Sequence, residues 1–278
     1  GTWHPKGGMY EIVKAMKKVA EDLGVRIHTS SPVAKINVNP SRKATGISLH
    51  DGSTIEADYV VSGADYHHSE TLLDQAYRQY SESYWSKRTF APSSLLFYVG
   101  FNKKLDQKLL HHNLFFDTDF KAHAKNIYDD PAWPEDPLFY ANFPSATDPS
   151  MAPEGKEAGF FLIPIAPGIE DTQALRDHYF KRLIERLEAY TNDALEPHIE
   201  FVESFCVNDF IEAYNSYKGN AYGLANTLRQ TAFLRPKLQS KKVKNLYFTG
   251  QLTVPGPGVP PALISGKLVA QLIKEVAS

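Results

Sequence analysis

The chain has one cysteine, Cys206. It can form no internal disulfide and no multi-thiolate metal or iron–sulfur site, which fits a reducing compartment and leaves Cys206 as a small core residue. It lacks any run approaching the ~18 uninterrupted apolar residues of a membrane span. It also lacks a surplus of positive charge: 30 Lys and Arg face 32 Asp and Glu, a net charge of -2. Nucleic acid is therefore not an expected partner. The first residues, Gly-Thr-Trp-His-Pro-Lys, have no basic-then-apolar export pattern. With no Met at position 1, residue 1 reads as an internal position of a longer protein. None of the 17 glycines forms Gly-x-Gly-x-x-Gly, no Gly-x-Ser-x-Gly is present, and no internal repeat emerges.

What is present is concentrated near the C-terminus. Leu246 to Phe248 is a short apolar, aromatic run ending at Gly250, the pattern of a buried strand. Ala262 to Val276 is apolar almost all round and reads as a buried helix. Between them, Gly256 and Gly258 let the backbone approach a flat ligand closely, and Pro260 and Pro261 suit a helix's first turn, where an N–H is dispensable. Free N–H groups and the positive end of the helix dipole would face an anionic or electron-rich group. Spacing alone leaves open a plain turn, and Pro261 excludes a dinucleotide fingerprint here.

Upstream, Met9, Ile12, Val13, Met16, Val19, Ala20 and Leu23 share one face of a helix closed by Gly24. Arg26–Thr29 and Val33–Val38 read as strands, Asp51-Gly52 as a hairpin turn, and Tyr59-Val60-Val61 as a strand running into Gly63. From about residue 66 to 235 aromatics are dense. Strands are expected at 94–100, 137–143 and 159–164, and a helix from Asp171, its N-cap, to Tyr190. This middle reads as a second domain inserted in the first. The fold class is mixed α/β, with residues 1–65 plus 240–278 as one domain and 66–239 as the other.

Other constellations carry less. His111-His112 point to opposite faces of an extended segment and have no third ligand at sensible spacing, so no metal site is expected. Asp117 and Asp119 lack a nucleophile motif. Lys103, Lys104 and Lys108 alternate with Phe101, Leu105, Leu109 and Leu110, which is either a solvated helix face or a basic patch on an anionic membrane.

The loop Pro255-Gly256-Pro-Gly258-Val259-Pro260, with Gly219-Asn-Ala-Tyr-Gly223 and Gln230-Thr-Ala-Phe-Leu-Arg235-Pro236, resembles the C-terminal flavin signature of the phytoene desaturase family. Ser145-Ala-Thr-Asp-Pro-Ser-Met-Ala-Pro-Glu-Gly155 and His111-His-Asn113 extend the resemblance. Pro32-Val33 and Ala57-Asp-Tyr-Val-Val-Ser-Gly-Ala-Asp65 are similar to the second half of that family's flavin domain and, more loosely, to flavin amine oxidases. The resemblance implies a remnant of a doubly wound FAD-binding domain with an inserted substrate domain on a mixed sheet. It implies FAD as cofactor, lined by Gly250, Gln251, Gly256, Gly258, Val259 and Pro260, with the backbone of Val33 at the adenine. The family more often has Gly-Ala-Gly or Gly-Asp where this chain has Gly250-Gln251-Leu252. The implied reaction is desaturation of a long apolar polyene such as phytoene by hydride transfer to flavin, with no acid or base named. Related members isomerise, oxygenate or saturate polyenes and retinoids. A cytoplasmic, peripherally membrane-associated protein is implied, completed by an N-terminal flavin-binding segment without which it would not retain FAD. The alternative from another class is a non-catalytic lipid-binding module.

Overall fold

The computed structural model describes residues 3–106 and 108–277. In chain order its helices are α1 (Tyr10–Asp22), α2 (Tyr66–Thr71), α3 (Glu82–Ser86), α4 (Phe120–Tyr128), α5 (Gln173–Thr191), α6 (Val207–Tyr214) and α7 (Val259–Ala277). The strands are β1 (Val33–Val38), β2 (Ala44–Leu49), β3 (Thr54–Glu56), β4 (Val60–Ser62), β5 (Ser93–Phe101), β6 (His112–Phe115), β7 (Phe139–Asn142), β8 (Glu157–Ile165), β9 (Ile199–Phe205) and β10 (Leu246–Phe248). The mixed α/β class expected from the sequence is observed.

The chain forms two compact units. One comprises Gly1–Thr29, Ser94–Ile165 and Ile169–Cys206; the other comprises Ser30–Ser93, Ala166–Gly168 and Val207–Ser278. These boundaries differ from the expected 1–65 plus 240–278 and 66–239, for two physical reasons. Tyr66, Trp85, Phe90 and Leu224, all placed in the middle by the sequence reading, share one core with Leu246 and Phe248. Tyr66 stacks on Phe248 at 4.0 Å between ring centroids. The N-terminal segment, conversely, is tied to the middle, where the Gly7 N–H donates to Asp148 Oδ2 at 2.6 Å.

The first unit is built on a five-stranded sheet in the order β6-β7-β8-β5-β9. Its period-2 alternation is clearest in β8, where Gly159, Phe161, Ile163 and Ile165 are buried while Phe160 and Leu162 are half-buried. Helix α5 covers the buried face through Tyr179, Leu183, Ile184 and Leu187, a 4-1-3 spacing on one stripe. The opposite face stays open. The pairings Leu114↔Tyr140 and Tyr140↔Leu162 align three apolar side chains across three strands. Tyr98 and Phe160 lie 5.2 Å apart on the same face.

The second unit holds the antiparallel sheet β1-β2-β3 and the parallel pair β10-β4. One side chain ties them. Asn245 Oδ1 accepts from the Ala44 N–H at 2.7 Å, and its Nδ2 donates to the Ala44 and Asp58 carbonyls.

Four local expectations fail, each for a visible reason. Arg26–Thr29 is not a strand: Gly24, at φ +82°, ends α1 in a Schellman turn, with Val25 N–H donating to Ala20 O, and Val25–Thr29 continues without regular structure. The N-cap of α5 is Thr172, whose Oγ1 accepts from Leu175 N–H, because Asp171 is engaged by Arg176 at 2.7 Å. The α7 helix is not buried all round: Ser265 and Val269 are its buried residues, since two three-residue strands cover only one stripe of it. Among the described residues of 102–110 there is no helix, and the basic patch is largely neutralised, Lys103 by Asp193 at 2.7 Å and Lys104 by Glu157 at 3.6 Å.

Ser150 and the Gly7 N–H hold the Asp148 carboxyl down at about 2, below the usual carboxylate range. A depressed folded pKa means that the anchor's contribution is complete above about pH 4 and is lost as pH falls through about 2. The N-terminal segment is therefore expected to become protease-sensitive at Lys14 and Lys17 across that window. Asp148→Asn should remove the acid step; an unchanged acid profile in that variant would show that the segment is held by something else.

Candidate flavin site

The site is built where β4 and β10 end side by side. Their parallel pairing, Val60 to Ser62 against Leu246 to Phe248, brings Gly63-Ala64-Asp65 beside Thr249-Gly250-Gln251. A cavity of about 550 Å³ opens there, lined among others by Gly63, Asp65, Asn220, Gly250, Gln251 and Gly258. A second cavity, of about 590 Å³, is lined by Val33, Ile36, Tyr59 and Val60. Gly63 and Ala64 line both, so the turn after β4 forms a shared rim.

Of the seven residues singled out in the sequence, Gly250, Gln251, Gly258 and Val259 line the first cavity and Val33 lines the second. Gly256 and Pro260 line neither. Gly256 instead packs against the guanidinium of Arg235, where an added Cβ would sit 3.3 Å away. Arg235 is buried, and it donates to the Leu224 carbonyl at 2.9 Å and to the Gln251 carbonyl at 3.3 Å, bracing the loop from behind.

The cradle fits a flat, electron-rich group. Gly258 has φ +109°, in the left-handed half of backbone space that glycine tolerates, and an added Cβ there would meet only Pro261, at 3.4 Å and beyond. At Gly250 it would meet only the Gly63 carbonyl, at 3.8 Å. A 19-residue helix, α7, begins directly at the loop. Pro260 and Pro261 carry no N–H and Ala262 N–H bonds back to Gly258 O, so the first turn presents the Val259 N–H and the dipole's positive end. No group of three His, Cys, Asp or Glu suited to a metal occurs among the described residues.

Three side chains that hold this geometry escaped the sequence reading. Ser265 Oγ accepts from Gly250 N–H at 2.8 Å and donates to Ala262 O at 2.6 Å, pinning the loop's entrance to α7. Asn220 accepts from Gly223 N–H at 2.7 Å and donates to the Tyr217 carbonyl at 2.8 Å, fixing the wall opposite. Asp65 caps α2, accepting from His67 and His68 N–H, and its other oxygen accepts from Tyr217 N–H at 3.2 Å. Burial pushes its carboxyl up, against the pull of those hydrogen bonds. A strand followed by Gly-Ala-Asp, with the Asp starting a helix, was the legible signal for Asp65; Asn220 was visible only as a member of the Gly219–Gly223 motif, and Ser265 gave no signal, because serine is common in turns and on helices.

A carotenoid 3,4-desaturase from Haloarcula japonica is 42% identical over 281 residues, covering 100% of this chain and 56% of that one. A zeta-carotene-forming phytoene desaturase from Myxococcus xanthus is 35% identical over 279 residues, covering 98% and 52%. The chain thus spans about half the length of the curated relatives it matches. The crystal structure of an oxidoreductase from Methanosarcina mazei shares the fold, with a TM-score of 0.61 at 19% identity over 96% of this chain and 55% of that one. The model of flavin-containing amine oxidoreductases matches residues 1–274, and the chain belongs to that family.

Proposed function

We propose that the chain is the substrate-contacting and flavin-contacting part of an FAD-dependent desaturase acting on a long apolar polyene of the carotenoid-precursor class. The observation that carries this reading is the meeting of Gly250, Gln251, Gly258 and Val259 at the start of α7, beside a rim that opens on Val33's cavity. In this reading Val33 lies toward the adenine and the glycine loop toward the isoalloxazine. Bound FAD would supply the hydride acceptor that forming a C=C from a saturated pair of carbons requires.

The protein's own part is placement. Gly250 and Gly258 leave the cradle shallow enough for a flat ring, Ser265 and Arg235 hold the loop, and the Val259 N–H with the α7 dipole favours negative charge next to it. Among the described residues Asp65 is the only carboxylate in the cavity lining, and its oxygens are taken by backbone N–H groups, so it acts as a structural cap rather than a base. The open sheet face of the first unit, with Leu114, Tyr140, Phe160, Leu162 and Tyr98, matches a hydrocarbon substrate in chemistry. Apolar substrate of this kind resides in a bilayer, which makes peripheral membrane contact part of the proposal. Among the described residues no helix is long and apolar enough to cross a membrane.

The test is expression of the full-length protein in a phytoene-accumulating host, followed by chromatography of the polyenes and measurement of flavin content. The expected result is a yellow protein and products with more conjugated double bonds and longer-wavelength absorption. A flavin-loaded protein that leaves phytoene and its partly desaturated successors unchanged would remove the desaturase assignment.

A further inference from the structure

The second unit contains a larger concavity than either flavin-side cavity, about 830 Å³, and its lining is one-signed. Arg42, Arg235, Lys237, Lys241, Lys242 and Lys244 contribute to it, with no aspartate or glutamate. All but Arg235 are exposed. Among the described residues none of the six is ion-paired, in contrast to Lys103, Lys104 and Lys156, each of which has a carboxylate partner. In a chain of net charge -2, six unneutralised cations around one bowl are a segregated field.

The bowl is also held firmly. Ser240 Oγ accepts from the N–H groups of Lys242 and Val243 at 3.1 and 3.0 Å, folding the lysine run into a tight turn. Lys244 N–H donates to Arg42 O at 3.0 Å, which docks the β1–β2 turn against it. Phe233 lines the bowl and is 76% exposed. Cations beside a protruding aromatic side chain match the boundary of an anionic bilayer, where phosphates meet acyl chains. A soluble phosphate would use the cations and leave Phe233 in water.

We propose that this basic bowl is the face by which the protein sits on an anionic phospholipid bilayer, the lysines and Arg42 taking headgroup phosphates and Phe233 entering the headgroup boundary. The inference rests on the reading of the substrate as a bilayer-resident polyene, and it moves the membrane contact from the paired Lys103 and Lys104 to the unpaired cluster at 237–244.

The test is co-sedimentation of the full-length protein with vesicles of phosphatidylcholine, with and without phosphatidylglycerol. The parent should bind only the phosphatidylglycerol vesicles, more weakly as salt rises. Lys241→Gln/Lys242→Gln/Lys244→Gln should bind on the order of 100-fold more weakly, since each lysine near a charged surface contributes roughly fivefold. Phe233→Ser should lose about tenfold, and Lys103→Gln/Lys104→Gln nothing. Thermal unfolding and flavin absorbance matching the parent's would show that the triple variant is folded. Parental binding by the triple variant, equal binding to phosphatidylcholine alone, or displacement by millimolar inorganic phosphate would each overturn the docking face. Conversion of detergent-solubilised phytoene separates the two readings. If the parent converts it but binds no vesicle, the docking face fails; if vesicle binding depends on the three lysines in a protein that carries no flavin, the desaturase reading fails and the docking face stands.

Discussion

Asn245→Ala should destabilise the second unit by about 3 kcal/mol, the largest loss expected from any single side chain outside its aromatic core. The asparagine satisfies the N–H and the carbonyl of Ala44 and the carbonyl of Asp58, and Asn245 and Ala44 are both buried. Truncation leaves these backbone groups without partners, at about 1–3 kcal/mol for each buried group that water cannot reach. Water entering beside Asp58 keeps the total toward the lower end. The apolar isostere Asn245→Leu should be no better, because the partners are backbone and cannot be replaced in turn. Urea unfolding followed by amide protection of Leu246 and Phe248 reports on this unit, since both lie in its core. A shift of the midpoint equivalent to less than about 1 kcal/mol would mean that the two sheets are held by packing and not by the clamp.

Gly258→Ala in the full-length protein is expected to abolish stable FAD retention while the fold survives. The added methyl meets Pro261 at 3.4 Å, an ordinary contact, so packing alone is not the obstacle. The obstacle is φ +109°, which an alanine holds only at a cost of about 1–3 kcal/mol. The loop relieves that cost by moving, which displaces the Val259 N–H and fills the cradle from which the ring is to be approached. Leu268→Met, on α7 away from the loop, is the control and should cost below about 1.5 kcal/mol with FAD retained. Flavin absorbance after gel filtration and a thermal melt of both variants decide the matter. Full FAD occupancy and a parental desaturation rate in Gly258→Ala would mean that the loop is only a turn and that Gly250, Gln251, Gly258 and Val259 do not line a flavin.

Elements whose signal was local were legible. The Leu246 strand, the Pro-primed α7, the Asp51-Gly52 hairpin and the α5 stripe came out close to their observed bounds, because each is decided by neighbours within a few residues. Burial was not legible in the same way. Met9, Val13, Met16, Val19 and Leu23 do share a helix, yet they are exposed, since periodicity reveals an apolar face and says nothing of what covers it. The division of the chain was missed for a related reason. Aromatic density in 66–93 looks the same whichever core receives it, and only the packing of Tyr66 on Phe248 and of Trp85 around them assigns that stretch to the β10 side. In the site, the glycines stood out only through the motif they belong to, since their spacing alone leaves a plain turn open. Arg235 was visible only as part of its motif and Ser265 not at all, because their importance lies in which backbone groups they meet.

The pairing of β4 with β10 joins Ser62 to Phe248, and the clamp joins Ala44 to Asn245 across a separation of 201 residues. Such contacts are reached only after a long loop has been closed, and contact order of this kind slows folding. During synthesis at ~5–20 residues per second, β4 leaves the ribosome roughly 10–40 s before its partner strand exists. During that interval the other unit's Ser94–Ile165 and Ile169–Cys206 emerge and can fold, while 30–93 waits with β4 lacking its β10 partner. Of the two units, the one that carries the glycine loop therefore closes second, and a mutation that slows it will show first as aggregation in the cell rather than as altered chemistry.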